Sequence, residues 1–167
     1  GKALGSKRED VVLATKVRGR MGEGVNEIGL SRVHIRQQVE QSLKRLQTDY
    51  IDLYQIHGVD MYTSFEDTLR TLDDLVREGK VRYIGASNLM AWQLMKTIGI
   101  SEKNGWEKFK SLQAHYSIAS RDLEREVVPL LKDQNIGLMV WSPLSGGFLS
   151  GKYKRNQQPE GTSRRKE

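Results

Sequence analysis

IDLYQIHGVD, residues 51–60, decides how the chain is read. Ile51, Leu53, Tyr54 and Ile56 are β-formers and mostly apolar, so the stretch predicts a buried strand. It then closes on His57 and Gly58, with Asp60 just beyond. An interior strand that ends on a histidine and a flexible residue has two explanations. It meets an ordinary loop, or it aims His57 into a site at its C-terminal end.

The pattern repeats on both sides. VVLATK (11–16), VRYIGAS (81–87), KSLQAHY (110–116) and IGLMVWS (136–142) predict further strands. Helical patterns separate them. Ser31 opens a helix whose Val39, Leu43 and Leu46 share one face. Ser64 opens another, with Asp67 placed as a capping box would have it. Phe65, Leu69, Leu72 and Val76 form its apolar stripe, and Gly79 stops it. A third helix is centred on Trp92, Leu94 and Met95. A fourth segment runs from Asp122, with Pro129 either in a first turn or kinking a helix.

Strict alternation of buried strands with helices argues for an α/β fold with a parallel sheet. A doubly wound sheet and a (β/α)8 barrel both fit. The barrel takes about 250 residues and eight strands. The 167 residues here hold about five strand–helix units, so a barrel of this chain is incomplete. No GxGxxG follows the first strand, which weakens the dinucleotide-binding doubly wound alternative.

Composition narrows the function classes. Hydrophobic residues make up 37% and charged residues 29% of the chain, the balance of a globular protein with a core. We expect a single domain over 1–167. With no cysteine, disulfides, thiolate metal sites and a cysteine nucleophile are excluded. A reducing cytoplasm is the expected compartment. No apolar run reaches membrane-spanning length, and no signal-peptide pattern opens the chain.

The formal net charge is +6. Part of the excess sits in the tail, at Lys152, Lys154, Arg155, Arg164, Arg165 and Lys166. Elsewhere basic and acidic residues alternate, without the interleaved aromatics of RNA or single-strand binders. Neither a nucleic-acid nor a membrane partner is expected. GKALGSKRED reads as the end of a helix with Gly5 as its stop. Residues 152–167, polar and holding Pro and Gly, read as loop or disordered tail.

Each predicted strand ends in a residue able to do chemistry. They are Lys16, then His57, then Ser87 and Asn88, then Gln113, then Trp141 and Ser142. In parallel α/β folds, ligands bind outside the carboxyl ends of the strands. Taken singly, each has an ordinary explanation. A lysine at a strand end is usually solvated. A lone histidine is usually a satisfied structural residue. Ser-Asn before a helix is an N-cap. A glutamine bonds backbone, and a tryptophan in an apolar strand is core. Their convergence on one face favours a site.

VVLATKV, LYQIHGVD, VRYIGASN, SLQAHYS and VWSPLSGGFLSGKY, in this order and spacing, resemble the aldo-keto reductase family. Most similar is the branch of potassium-channel β-subunits and bacterial general-stress reductases. The resemblance runs from Gly1 to about Arg165 and implies a central fragment of a (β/α)8 barrel that binds NADP(H) without a Rossmann motif. It implies catalytic roles for Lys16 and His57. Ser87, Asn88 and Gln113 would hold the nicotinamide carboxamide, and Trp141 would stack on the ring. Ser142, Pro143, Leu144, Ser145 and Gly146 would pass along the pyrophosphate, with Lys152 and Arg164 contacting phosphates.

The implied activity is NADPH-dependent reduction of a small carbonyl substrate. The alternative is a non-catalytic NADP(H)-binding subunit that senses redox state. The acid tyrosine and the aspartate that pairs with the lysine lie, in the family, upstream of the first strand here. Tyr54 points away from the His57 face by strand alternation, and nothing places Tyr116 at a carbonyl. The chain alone is therefore expected to be inactive. An unclosed barrel exposes strand edges, so self-association is expected too.

Overall fold

The computed structural model describes residues 1–153. Five strands form one parallel sheet in sequence order: β1 (Ala14–Val17), β2 (Ile51–Ile56), β3 (Val81–Ser87), β4 (Ser111–His115) and β5 (Gly137–Trp141). Four α-helices follow in alternation: α1 (Arg32–Leu46), α2 (Phe65–Arg77), α3 (Ala91–Asn104) and α4 (Val127–Asp133). Each strand pairs in parallel with the next, and no pairing joins β5 to β1. The described residues are an incomplete (β/α)8-type barrel.

The core lies between sheet and helices. Alternate residues Tyr54 and Ile56 of β2, Ile84 and Ala86 of β3, and Leu112 and Ala114 of β4 are buried there. Ile35 and Val39 of α1, Leu69 and Leu72 of α2, and Leu94 and Ile98 of α3 meet them. The intervening strand residues line the other face. A Cβ at Gly85 would stand 2.7 Å from Ser111 Oγ, 3.0 Å from Gln55 Cγ and 3.1 Å from Leu53 Cδ1. These neighbours identify the face shared by Leu53, Gln55, Gly85 and Ser111. Lys16 is in register with Gln55, and Gln113 and Trp141 follow by alternation.

Local signals explain the helix starts. Ser31 Oγ accepts the His34 N–H at 3.2 Å, and Ser64 Oγ accepts the Asp67 N–H at 3.0 Å. The Asp67 carboxylate accepts the Ser64 hydroxyl at 2.8 Å rather than a backbone N–H, so half of the expected capping box forms. Pro129 is the third residue of α4, a first-turn place that spares the helix a kink. Gly79 follows α2 at φ +75°, the conformation that stops a helix.

Three readings are corrected. Residues Gly5–Asp10 form a 3-10 turn, with Gly5 opening it rather than closing a helix. β1 begins at Ala14, not at residue 11; the Leu13 N–H meets the Asp52 carboxylate at 2.9 Å, while the Leu13 carbonyl still accepts the Asp52 and Leu53 N–H groups at 3.1 Å each. The α3 N-cap is Met90, so Ser87 and Asn88 do not cap that helix. The helix expected around Trp92, Leu94 and Met95 forms as α3; Leu94 enters the core, and Trp92 and Met95 are exposed.

At the N-terminal end of the sheet a charged cluster ties β1, β2 and β3 together. Asp52 pairs with Arg8 at 2.7 Å and with Arg82 at 3.3 Å. Both guanidiniums also cover the Tyr50 ring, at 4.0 and 3.8 Å from its centroid. This end has the marks of a stabilising face. The opposite end carries the residues able to do chemistry.

Candidate functional site

At the C-terminal ends of β3, β4 and β5 a chain of hydrogen bonds joins the predicted residues. The Trp141 Nε1–H donates to Asn88 Oδ1 at 2.9 Å. The Asn88 amide donates to Ser87 Oγ at 2.9 Å, and Ser87 Oγ donates to the Gln113 carbonyl at 3.0 Å. That carbonyl also accepts the Asn88 backbone N–H at 2.9 Å. Asn88 reaches both partners from φ +57°, a left-handed conformation that asparagine tolerates better than most residues. Trp141 is not core: it is 40% exposed, fixed by its N–H edge. The Gln113 carboxamide has no hydrogen-bond partner among the described residues and faces the open side.

Beyond Trp141 the chain turns sharply. Ser142, Ser145, Gly146 and Gly147 have φ of +53°, +49°, +65° and +92°. The Ser142 carbonyl accepts the Ser145 N–H at 2.8 Å, and the Leu144 carbonyl accepts the Gly147 N–H at 2.9 Å. Ser145 Oγ meets Ser117 Oγ at 2.9 Å, anchoring the turn to the loop after β4. Pro143 and Leu144 are exposed on its outside. Lys152 folds back onto the turn. A Cβ at Gly147 would stand 2.9 Å from Lys152 Nζ, so glycine there admits the ammonium. Turn amides beside a lysine suit an anionic group such as a phosphate. Arg164 lies outside the described residues.

Lys16 and His57 sit on the other side of the sheet, on β1 and just after β2. The His57 N–H donates to the Val17 carbonyl at 2.9 Å, which sets the two strand ends side by side. Lys16 is half-buried and His57 exposed. Neither side chain has a hydrogen bond or ion pair among the described residues. The structure brings Lys16 and His57 together at one end of the sheet order, and Ser87, Asn88, Gln113 and Trp141 together at the other.

The two loops that follow Lys16 and His57 wall a cleft of about 620 Å³, with Arg18, Arg20, Ile28, Asp60, Met61 and Tyr62 among its lining. Asp60 locks the loops. Its carboxylate accepts the Leu30 N–H at 2.7 Å, the Tyr62 N–H at 3.0 Å and the Thr63 hydroxyl at 2.8 Å. Burial alone would raise its pKa. The backbone donors, the Thr63 hydroxyl and the Arg18 charge outweigh it and hold the carboxyl below its usual range.

The tyrosines weighed in the sequence are not placed as acids. Tyr54 is fully buried on the helix side, and burial pushes its hydroxyl far above the ordinary tyrosine range against a weaker pull from Arg45. Tyr116 donates to the Glu124 carboxylate, and that bond raises its pKa. One residue at the site escaped the strand-end reading. His115 closes β4 in register with Trp141, and their ring centroids lie 4.7 Å apart. Its alternation with Gln113 was the available signal. Among the described residues no three His, Asp or Glu side chains gather as they would around a metal ion. No helix among them is long and apolar enough to cross a membrane.

The sequence model of the Aldo/keto reductase family matches residues 1–167. An uncharacterized oxidoreductase of Bacillus subtilis, YrpG, is 42% identical over 165 residues, covering 96% of this chain and 51% of the relative. A putative aryl-alcohol dehydrogenase of Schizosaccharomyces pombe is 44% identical over 136 residues, 81% of this chain and 38% of the relative. The versiconal hemiacetal acetate reductase of Aspergillus parasiticus is 44% identical over 134 residues, 79% of this chain and 39% of the relative. The chain thus spans about half, or less, of the length of these relatives.

Proposed function

Because the chain belongs to the aldo/keto reductase family, we propose that it carries the central part of a carbonyl-reducing site. The reaction is NADPH-dependent reduction of an aldehyde or ketone. The observation that carries this reading is the linked set Trp141–Asn88–Ser87–Gln113, which leaves one indole edge fixed and one carboxamide free to receive a partner. The residues fit such a cofactor. Gln113, with Ser87 and Asn88 behind it, suits the nicotinamide carboxamide, and Trp141 suits the ring. The turn from Ser142 to Gly146, with Lys152 against Gly147, suits the pyrophosphate. A choice of NADP over NAD is carried by the family resemblance.

When bound, NADPH supplies a hydride to the carbonyl carbon. The oxygen then needs a proton. Tyrosine, with an ordinary pKa near 10, is a weak acid at neutral pH. A lysine ammonium beside it stabilises the tyrosinate and lowers that pKa, the task we assign to Lys16. His57 would donate to the carbonyl oxygen and orient it. The tyrosine belongs to a segment outside these residues, so the chain by itself is inactive in this proposal. The relatives' names, an aryl-alcohol dehydrogenase and a hemiacetal acetate reductase, point to the same chemistry. The cleft walled by the loops that follow Lys16 and His57 would receive the substrate. A cytoplasmic setting and self-association through the edges of β1 and β5 belong to the same proposal.

Titration of the chain with NADPH, followed by tryptophan emission, tests the cofactor reading. Saturable quenching that disappears in Trp141→Phe is expected. Quenching that survives that substitution, or none at high NADPH, overturns it. In a full-length form, Lys16→Met and His57→Gln should each lose turnover while still binding NADPH. Unchanged turnover in both would remove the catalytic assignment.

A further inference from the structure

We propose that His115 is a positioning residue for Trp141, and that its charge decides how well the indole receives a cationic ring rather than a neutral one. The second half rests on the cofactor reading above. His115 and Trp141 are partners across the β4–β5 ladder, with ring centroids 4.7 Å apart and planes inclined by 41°. Asn88 holds the indole by its N–H edge at 2.9 Å. Two contacts therefore set the plane of Trp141. Swinging the indole breaks the Asn88 bond, and tilting it runs into the imidazole. Among the described residues no other ring packs on Trp141. The residue is 40% exposed, so part of the indole remains available to a ligand.

A neutral imidazole offers this indole dispersion contact alone. An imidazolium adds attraction to the π system and places a positive charge on that side. A second cation stacked on the far face then meets Coulomb repulsion, whereas a neutral ring does not. Oxidised nicotinamide is cationic and reduced nicotinamide is neutral. A protonated His115 thus favours the reduced cofactor over the oxidised one. Histidine is the side chain whose charge ordinarily changes between about pH 5 and pH 8.

His115 lines a cleft of about 540 Å³ together with Asp122, Arg125 and Glu126 from the segment leading into α4. These charged groups face it from that side, two acids against one base. The neutral Asn88, just after β3, lines the same cleft, and Trp141 of β5 packs against the ring. Further along, Tyr116, Glu124 and Arg121 satisfy one another.

The test needs no turnover. Trp141 emission is obtained as the difference between the chain and its Trp141→Phe variant, and is followed from about pH 5 to about pH 8. An imidazolium in contact quenches indole. We expect emission to fall on acidification along a single-site curve, and to stay flat in His115→Gln and in His115→Phe. The phenylalanine variant keeps a ring against the indole, and matching circular dichroism shows that it folds. A fall that persists in both variants overturns the proposal.

The dissociation constants of NADPH and NADP+ are then measured at both ends of that range. The preference for NADPH should rise about threefold toward acid in the parent chain and stay constant in His115→Gln. A preference that does not move with pH in the parent refutes the charge-dependent half. Failure to bind either nucleotide sinks the cofactor reading, and with it that half. The emission titration still decides whether His115 governs Trp141.

Discussion

The Trp141 indole and the Asn88 carboxamide meet at 2.9 Å across 53 positions of sequence. The bond ties the ends of β3 and β5 together over β4, which lies between them. Asn88 can make it because a left-handed backbone turns its side chain back over the sheet edge. Strand order, a φ that few side chains accept and an indole N–H are thus joined in one contact.

That contact predicts an order of stabilities. Asn88→Gly loses the bridge and keeps the backbone conformation. Asn88→Ala loses the bridge and also strains φ. Urea unfolding should show the alanine variant less stable than the glycine variant by about 1 kcal/mol. Equal stabilities would mean that the backbone at 88 relaxes without strain.

Gly85 predicts a packing effect on the open face. A methyl there would stand 2.7 Å from Ser111 Oγ and 3.0 Å from Gln55 Cγ. Gly85→Ala should destabilise by about 1–3 kcal/mol, since β3 is held between β2 and β4 and cannot move aside. Ser111→Gly removes the nearest atom. The double variant should recover part of the loss, a non-additivity that a double-mutant cycle reads directly. Strict additivity would show that Ser111 is not the obstacle.

Much of the architecture is legible in the sequence for a physical reason. Alternation of apolar strands with helical stripes has few solutions, and β3 lies where VRYIGAS predicts it. Strand ends also point to the face that carries Lys16, His57, Ser87, Asn88, Gln113 and Trp141. What escaped depends on side chains far apart in sequence. The Asp52 carboxylate takes the Leu13 N–H, just before β1, from a place 39 positions away. Trp141 is named by the strand-end reading, but the polar bond that holds it, to Asn88, joins residues 53 positions apart. His115 has only its alternation with Gln113 as a local mark; its contact with Trp141 depends on the residue opposite it in the ladder.

Asp60 predicts a local effect on the loops beside Lys16 and His57. Asp60→Ala removes the acceptor for Leu30, Tyr62 and Thr63 at once. Leu30 is 1% exposed, so no bulk water replaces the lost partner at its amide. Hydrogen exchange at Leu30 and Tyr62 should quicken by an amount equivalent to about 1–3 kcal/mol of local stability. Asp60→Asn, which retains one carbonyl oxygen, should fall between. Unchanged exchange in the alanine variant would show that the loops hold their places without the carboxylate.

Asp52 predicts how acid weakens the N-terminal end of the sheet. Burial by itself would raise its pKa. The Leu13 N–H and the Arg8 and Arg82 charges outweigh burial and lower it. A carboxyl with a depressed folded pKa contributes stability that is fully present above its ordinary value, near 4, and is lost as pH falls through the folded value. Asp52→Asn keeps the shape and removes the charge. At pH 7 the variant should be less stable than the parent by about 1–3 kcal/mol, the range for hydrogen bonds to charged, largely buried groups. Below about pH 4 the two unfolding curves should converge, because the parent's carboxyl is then taking up a proton. The parent loses stability over that window and the variant loses less. A gap that stays constant from neutral pH down to about pH 2 would mean that neither the Leu13 N–H nor the Arg8 and Arg82 charges stabilise the carboxylate over the carboxylic acid, and would overturn the depressed folded pKa.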